Sequence, residues 1–105
     1  MTKKLQGKVA LVTGGSRGIG AASARALATE GANIAISYVA SPDKANAVIA
    51  ELQAKGVNAR AYKADQASPA DVEKLVNDVA KDLGRLDILV NNAGVAVGEI
   101  GRAHV

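Results

Sequence analysis

Val9-Ala10-Leu11-Val12-Thr13-Gly14-Gly15-Ser16-Arg17-Gly18-Ile19-Gly20 decides how this chain is read. The first four residues form an unbroken apolar run. A strand with one wet face alternates; a parallel strand buried on both faces does not. A glycine-rich turn follows at once. Behind it Ile19, Ala22, Ala26 and Leu27 recur at the spacing of one helix face, and Gly31 marks the stop. Strand, glycine turn and helix in that order aim unpaired backbone N–H groups and the positive end of a helix dipole at one point. Without a ligand such a turn is only a tight connection. The flanking strand and helix favour the pyrophosphate of a dinucleotide.

The same alternation continues outward. Asn33 to Tyr38 reads as a second strand. Ser41 is placed to cap the next helix, with Pro42 at its first position. Ala45, Val48, Ile49 and Leu52 form the apolar stripe of that helix, and Gly56 closes it. Asn58 to Lys63 is a third, less apolar strand that suits a sheet edge. Ser68, Pro69 and Asp71 repeat the start signal, Asp71 standing where a capping box requires it. Val72, Leu75, Val76 and Val79 give a third amphipathic helix ending near Gly84, and Leu86 to Val90 is a fourth strand. The order is β-α-β-α-β-α-β, and helical crossovers between strands demand a parallel sheet with right-handed connections. The expected fold class is α/β, half of a Rossmann-like doubly wound sheet. Residues 1–94 form the expected dinucleotide-binding half-domain. Residues 95–105 have no clear period and read as an irregular tail, whose His104 is the solvated residue a lone terminal histidine usually is.

Composition narrows the chemistry. The chain has 105 residues, a length that suits one domain able to bury roughly two-thirds of its unfolded surface. Phe, Trp and Cys are absent. Without aromatic platforms, stacking on single-stranded nucleic acid is not expected. Without cysteine there are no disulfides, thiolate metal sites or cysteine nucleophiles. The formal charge of +3 comes from bases that alternate with acids, apart from Lys3, Lys4 and Lys8, so it describes a solvated surface. No apolar run approaches the roughly 20 residues of a membrane span, and the start does not read as a signal peptide. A cytoplasmic protein with no membrane partner is the expectation.

The glycine spacing is T-G-x-x-x-G-x-G, at Thr13, Gly14, Gly18 and Gly20, not G-x-G-x-x-G. A second motif, Asn91-Asn92-Ala93-Gly94, ends the fourth strand. On these two motifs, in this order, the chain from about Leu5 to Gly94 resembles the short-chain dehydrogenase/reductase family, of the bacterial oxoacyl-carrier-protein reductase and glucose dehydrogenase type. The resemblance implies Gly14, Gly18 and Gly20 along the pyrophosphate, with contacts from Ser16, Arg17 and Ile19. It implies Asp65 at the adenine amino group, and Asn92, Ala93 and Gly94 beside the adenosine ribose. Asn91 is similar to the family asparagine that ties neighbouring strands together. Apart from the family, the polar pair Asp65-Gln66 directly after a strand falls at the carboxyl edge, where open α/β sheets bind ligands.

The choice between NAD and NADP has a physical reading. NAD binders place an acid near the end of the second strand to hold the ribose 2′-hydroxyl. Here residues 37–41 are Ser-Tyr-Val-Ala-Ser, and no acid precedes Asp43. Arg17 offers a guanidinium fork for a 2′-phosphate, and Ser37 and Tyr38 offer hydroxyls. The expected cofactor is NADP(H).

The family's catalytic Ser, Tyr and Lys, the last two spaced Tyr-x-x-x-Lys, are not found. Pro42 stands four residues after Tyr38 and Gln66 four after Tyr62. No catalytic or metal-binding residue is therefore assigned, and the chain is expected to be truncated before its chemistry. Two classes stay open: the cofactor-binding part of a carbonyl/alcohol oxidoreductase, or a self-assembling half-Rossmann scaffold. The strand order 3-2-1-4 that the family's fold implies puts the fourth strand at an edge. Two helices then cover one sheet face and only one covers the other. Apolar side chains of the first and fourth strands are expected to stand in water on that second face, so a homodimer through the fourth strand is expected.

Overall fold

A helix between two strands returns the chain to the edge it left, so each strand runs the same way as the last. The computed structural model describes residues 3–16 and 18–92. Within them the elements are β1 (Val9–Val12), α1 (Gly18–Thr29), β2 (Asn33–Tyr38), α2 (Pro42–Ala54), β3 (Ala59–Lys63), α3 (Pro69–Leu83) and β4 (Ile88–Val90). The strands form one parallel sheet in the order β3-β2-β1-β4. Leu11 lies opposite Ala35 on one side and Leu89 on the other, which makes β1 a central strand. This is the expected half of a doubly wound α/β fold. The tail 95–105, with His104, lies outside the described residues.

The pleat of β1 divides the core. Ala10 and Val12 join Ile34 and Ile36 under α1 and α2. Val9 and Leu11 join Ala35, Leu75, Val79 and Leu89 under α3. The second face is not left open, contrary to expectation. Val9, Leu11 and Leu89 are 1%, 0% and 3% exposed. Leu75 and Val79 of α3, Ala64 after β3 and the partly buried Leu86 pack around them. The helix count per face failed as a guide because a single long, well-centred helix and its flanking loops cover more than their share.

The buried face of α1 is also not the expected one. Gly20, Ala21, Ala24 and Ala28 face the sheet, Ala22 and Ala26 are exposed, and Ile19 is 76% exposed. Alanine stands on every side of this helix, so hydropathy selects no face strongly. Size selects it instead: the smallest side chains allow the closest approach to the strands.

Local signals were partly redirected. Ser68 caps α3 by accepting from the Asp71 N–H at 3.3 Å, and Gly84 ends the helix in the left-handed conformation. The capping box is not reciprocal, because the Asp71 carboxylate accepts from the Asp65 N–H at 3.0 Å instead. Ser41 occupies the cap position of α2 but makes no side-chain cap bond. Asn58 precedes β3 rather than starting it. Its N–H donates to Asn33 Oδ1 at 3.0 Å, and its carbonyl accepts from the Ile34 N–H.

The fourth strand begins at Ile88, not Leu86. Asp87 turns its carboxylate inward to accept from the Val9 N–H at 2.9 Å, while its own N–H donates to the Val9 carbonyl. The Arg85 guanidinium donates to the same carboxylate at 2.8 Å and holds it below the usual aspartate range, with help from the Val9 N–H. At the other edge the Tyr62 hydroxyl donates to Asp82 at 2.8 Å, tying β3 to α3.

Candidate functional site

The carboxyl ends of four parallel strands share one edge of the sheet, and each carries a predicted residue. The glycine turn leaves β1, Ser37 and Tyr38 end β2, Asp65 and Gln66 follow β3, and Asn91 and Asn92 follow β4. The order of strands reverses between β1 and β4, the position at which doubly wound sheets open a ligand crevice.

The turn is held from below. The Gly14 N–H donates to Ser37 Oγ at 3.1 Å, and the Gly15 N–H donates to the Ser37 carbonyl at 3.1 Å. Ser37 is 1% exposed. Its hydroxyl, offered by the sequence reading to a 2′-phosphate, shapes the turn from inside. Tyr38 is half-buried against the α1–α2 core.

The glycines have different reasons. A Cβ built on Gly18 meets nothing within 4 Å, so space does not demand glycine there; its φ of +61° does. Gly20 has an ordinary backbone but no room. A Cβ on it would lie 2.2 Å from the Gly14 carbonyl oxygen and 2.9 Å from Asn92 Nδ2. Gly15 is similarly closed off by Ile36, whose Cγ2 would be 2.6 Å away. Ser16 is half-buried, and Ile19 projects from the first turn of α1. No acid occupies that first turn, which leaves the positive end of the helix uncompensated by its own side chains.

Thr13 and Gly15 received no role from the sequence, and both organise the site. Thr13 is 2% exposed. Its N–H donates to the Val90 carbonyl at 3.0 Å, and its Oγ1 accepts from the Asn92 N–H at 2.9 Å. The same hydroxyl reaches Asn91 Oδ1 at 3.4 Å. The end of β1 is thereby fastened to the end of β4, and Asn92 is fixed against Gly14 and Gly20. The visible signal was a polar residue closing an apolar strand just before the glycines.

Asp65 is exposed. Its Oδ1 accepts from the Ala67 N–H at 2.9 Å, which keeps the carboxylate at the mouth of the loop. The Gln66 carboxamide crosses the end of β2 to reach the turn. Its Oε1 lies 3.4 Å, and its Nε2 3.8 Å, from where a Gly14 Cβ would stand, with Asn92 Nδ2 at 3.6 Å. That Oε1 is buried and has no hydrogen-bond partner among the described residues. Arg17, Ala93 and Gly94 lie outside the described residues, so the structure places ten of the thirteen predicted residues (Gly14, Ser16, Gly18, Ile19, Gly20, Ser37, Tyr38, Asp65, Gln66 and Asn92) along this edge.

The arrangement has counterparts of known structure. A short chain dehydrogenase from Burkholderia cenocepacia, solved in complex with NADP, superposes with a TM-score of 0.84 at 56% identity, over 88% of this chain and 38% of its own. A blue fluorescent protein from a metagenomic library, in complex with NADPH, gives 0.82 at 55% identity, over 89% of this chain and 38% of its own. In sequence, 3-oxoacyl-(acyl-carrier-protein) reductase of Staphylococcus epidermidis is 49% identical over 88 residues, 84% of this chain and 36% of the reductase. The chain therefore spans little more than a third of these relatives' length. The family model for short chain dehydrogenases matches residues 8–104. With nearly the whole chain matched, and the glycine turn seated at the strand-order reversal, this chain belongs to the short chain dehydrogenase family.

Proposed function

We propose that this chain is the NADP(H)-binding segment of a short-chain dehydrogenase/reductase, the dinucleotide unit occupying residues 1–94. The observation that carries the reading is the glycine turn, pinned by Ser37 and closed by Gly20, at the N-terminus of α1. The residues present fit a dinucleotide. Unpaired helix N–H groups suit a pyrophosphate, and the buried Gln66 Oε1 beside the turn, unpartnered among the described residues, suits a ligand donor. In this reading Gly14, Ser16, Gly18, Ile19 and Gly20 hold the pyrophosphate. Asp65, Gln66, Asn92, Ala93 and Gly94 hold the adenosine. When bound, the nicotinamide supplies or accepts a hydride; these residues orient its carrier. In a protein of the relatives' length, the segment would serve reduction of a carbonyl or oxidation of an alcohol.

The preference for NADP(H) over NAD(H) rests on the β2 end. Residues 37–41 carry no acid, and Val39 is 53% exposed where a ribose-binding carboxylate would otherwise reach out. Arg17 supplies the fork for the 2′-phosphate. Calorimetric titration is expected to give NADPH binding at least fivefold tighter than NADH. Equal or tighter NADH binding would overturn the preference, and failure of both at millimolar concentration would overturn the segment's proposed role.

The partner reading now rests on the β4 edge alone, since the sheet face beside it is covered. Two copies pairing their β4 strands would satisfy that edge in the commonest closed symmetry. Sedimentation equilibrium at hundreds of micromolar is expected to show a dimer. A monomer at that concentration would refute it. Among the described residues no helix is long and apolar enough to cross a membrane.

A further inference from the structure

A buried carbonyl oxygen without a donor destabilises a fold, and native structures keep very few. Among the described residues Gln66 Oε1 is such an atom. The residue follows β3, yet its carboxamide packs on the Gly14 turn after β1, which the Asn92 carboxamide after β4 also approaches. Side chains from two other strand ends thus converge on Gly14. An amide oxygen can only accept, so whatever completes it must carry an N–H or O–H.

Resting on the dinucleotide reading, we propose that Gln66 is a positioning residue whose Oε1 accepts a hydrogen bond from a hydroxyl of the adenosine ribose. The pyrophosphate and the 2′-phosphate offer acceptors at neutral pH and cannot complete the atom. The adenine amino group has a stronger acceptor in the exposed Asp65 carboxylate at the loop mouth. The ribose hydroxyl is the donor left for an acceptor held against Gly14. A carboxylate at residue 66 would instead repel the phosphates, so a neutral amide is the side chain that serves both neighbours.

This role gives opposite signs in two measurements. Gln66→Met keeps the length of the side chain and removes the unsatisfied oxygen. The ligand-free protein is expected to become more stable, its thermal midpoint rising by about 4 °C. Affinity for NADPH is expected to fall about tenfold, the scale of one neutral hydrogen bond. Affinity for adenosine 2′,5′-bisphosphate, which keeps the ribose and lacks nicotinamide, is expected to fall by the same factor. Unchanged affinity with wild-type binding intact overturns the inference while leaving the dinucleotide reading in place. So does a loss confined to NADPH, which puts the donor outside the adenosine half. A lowered midpoint accompanying weaker binding makes Gln66 structural and also overturns it. A wild-type chain that binds neither nucleotide overturns the dinucleotide reading and this inference together.

Discussion

Gly20→Ala is expected to abolish dinucleotide binding and to destabilise the chain. Helix propensity alone argues the other way, since alanine in a helix interior is favoured over glycine by about 1 kcal/mol. Sterics decide the sign. The new methyl would stand 2.2 Å from the Gly14 carbonyl oxygen and 2.9 Å from both the Gly14 carbonyl carbon and Asn92 Nδ2. Two of those atoms are backbone and cannot swing aside like a side-chain end. Either α1 lifts from the sheet, or the turn leaves the Ser37 hydroxyl that pins it. Overpacking of this kind costs roughly 1–3 kcal/mol, occasionally more, and each 1.4 kcal/mol or so lost from the binding-competent turn is about a factor of ten in affinity. The expected result is at least a hundredfold loss of NADPH affinity with a lower thermal midpoint. Gly18→Ala serves as the comparison. Its methyl enters open space, and only the positive φ opposes it, at about 1–2 kcal/mol. NADPH binding by Gly20→Ala within threefold of the wild type would show that the turn does not carry the ligand.

Much of the fold could be read before any coordinates, and the exceptions share a cause. Strand and helix alternate in separate periodicities, so the seven elements and the parallel sheet followed directly. β1 and β2 carry the bounds that their apolar runs mark. What the sequence did not reveal is direction. Alanines all round α1 left its inward face undetermined, and Ile19, read as part of the buried stripe, is 76% exposed. Ser37 was read toward a 2′-phosphate and Asp71 toward a capping box; in the structure Ser37 Oγ accepts from the Gly14 N–H and the Asp71 carboxylate from the Asp65 N–H. Thr13 is joined to Asn92 across 79 residues of sequence, a contact that no local pattern encodes. Residue types at the site were legible because glycines, amides and a strand-end aspartate are chemically conspicuous. Their mutual positions depend on four strands ending together, which is a property of the sheet.

Leu11→Ala is expected to separate stability from binding. Leu11 is fully buried in the centre of β1, between Ala35 and Leu89, on the face covered by α3. Of the six buried residues clustered with it, Val9, Ala35, Ala64 and Val79 are small or β-branched and only Leu75 and Leu89 are longer, and the chain contains no Phe or Trp to swing into a void. The cavity therefore collapses poorly, and a cost within the roughly 2–5 kcal/mol range of such truncations is expected. Against a total stability on the order of 5–15 kcal/mol, that is a large share, and the thermal midpoint should fall by about 10 °C or more. The site should survive. Leu11 points away from α1, and the backbone of β1 keeps its pairing to β2 and β4, which sets the Thr13–Gly14 turn. Calorimetry at 10 °C, well below the lowered midpoint, is expected to give NADPH affinity within twofold of the wild type. A midpoint shift under 3 °C would mean that the α3 face is not a tightly packed layer. A large loss of affinity at 10 °C would mean that the turn depends on packing beneath the sheet as well as on its own bonds to Ser37 and Asn92.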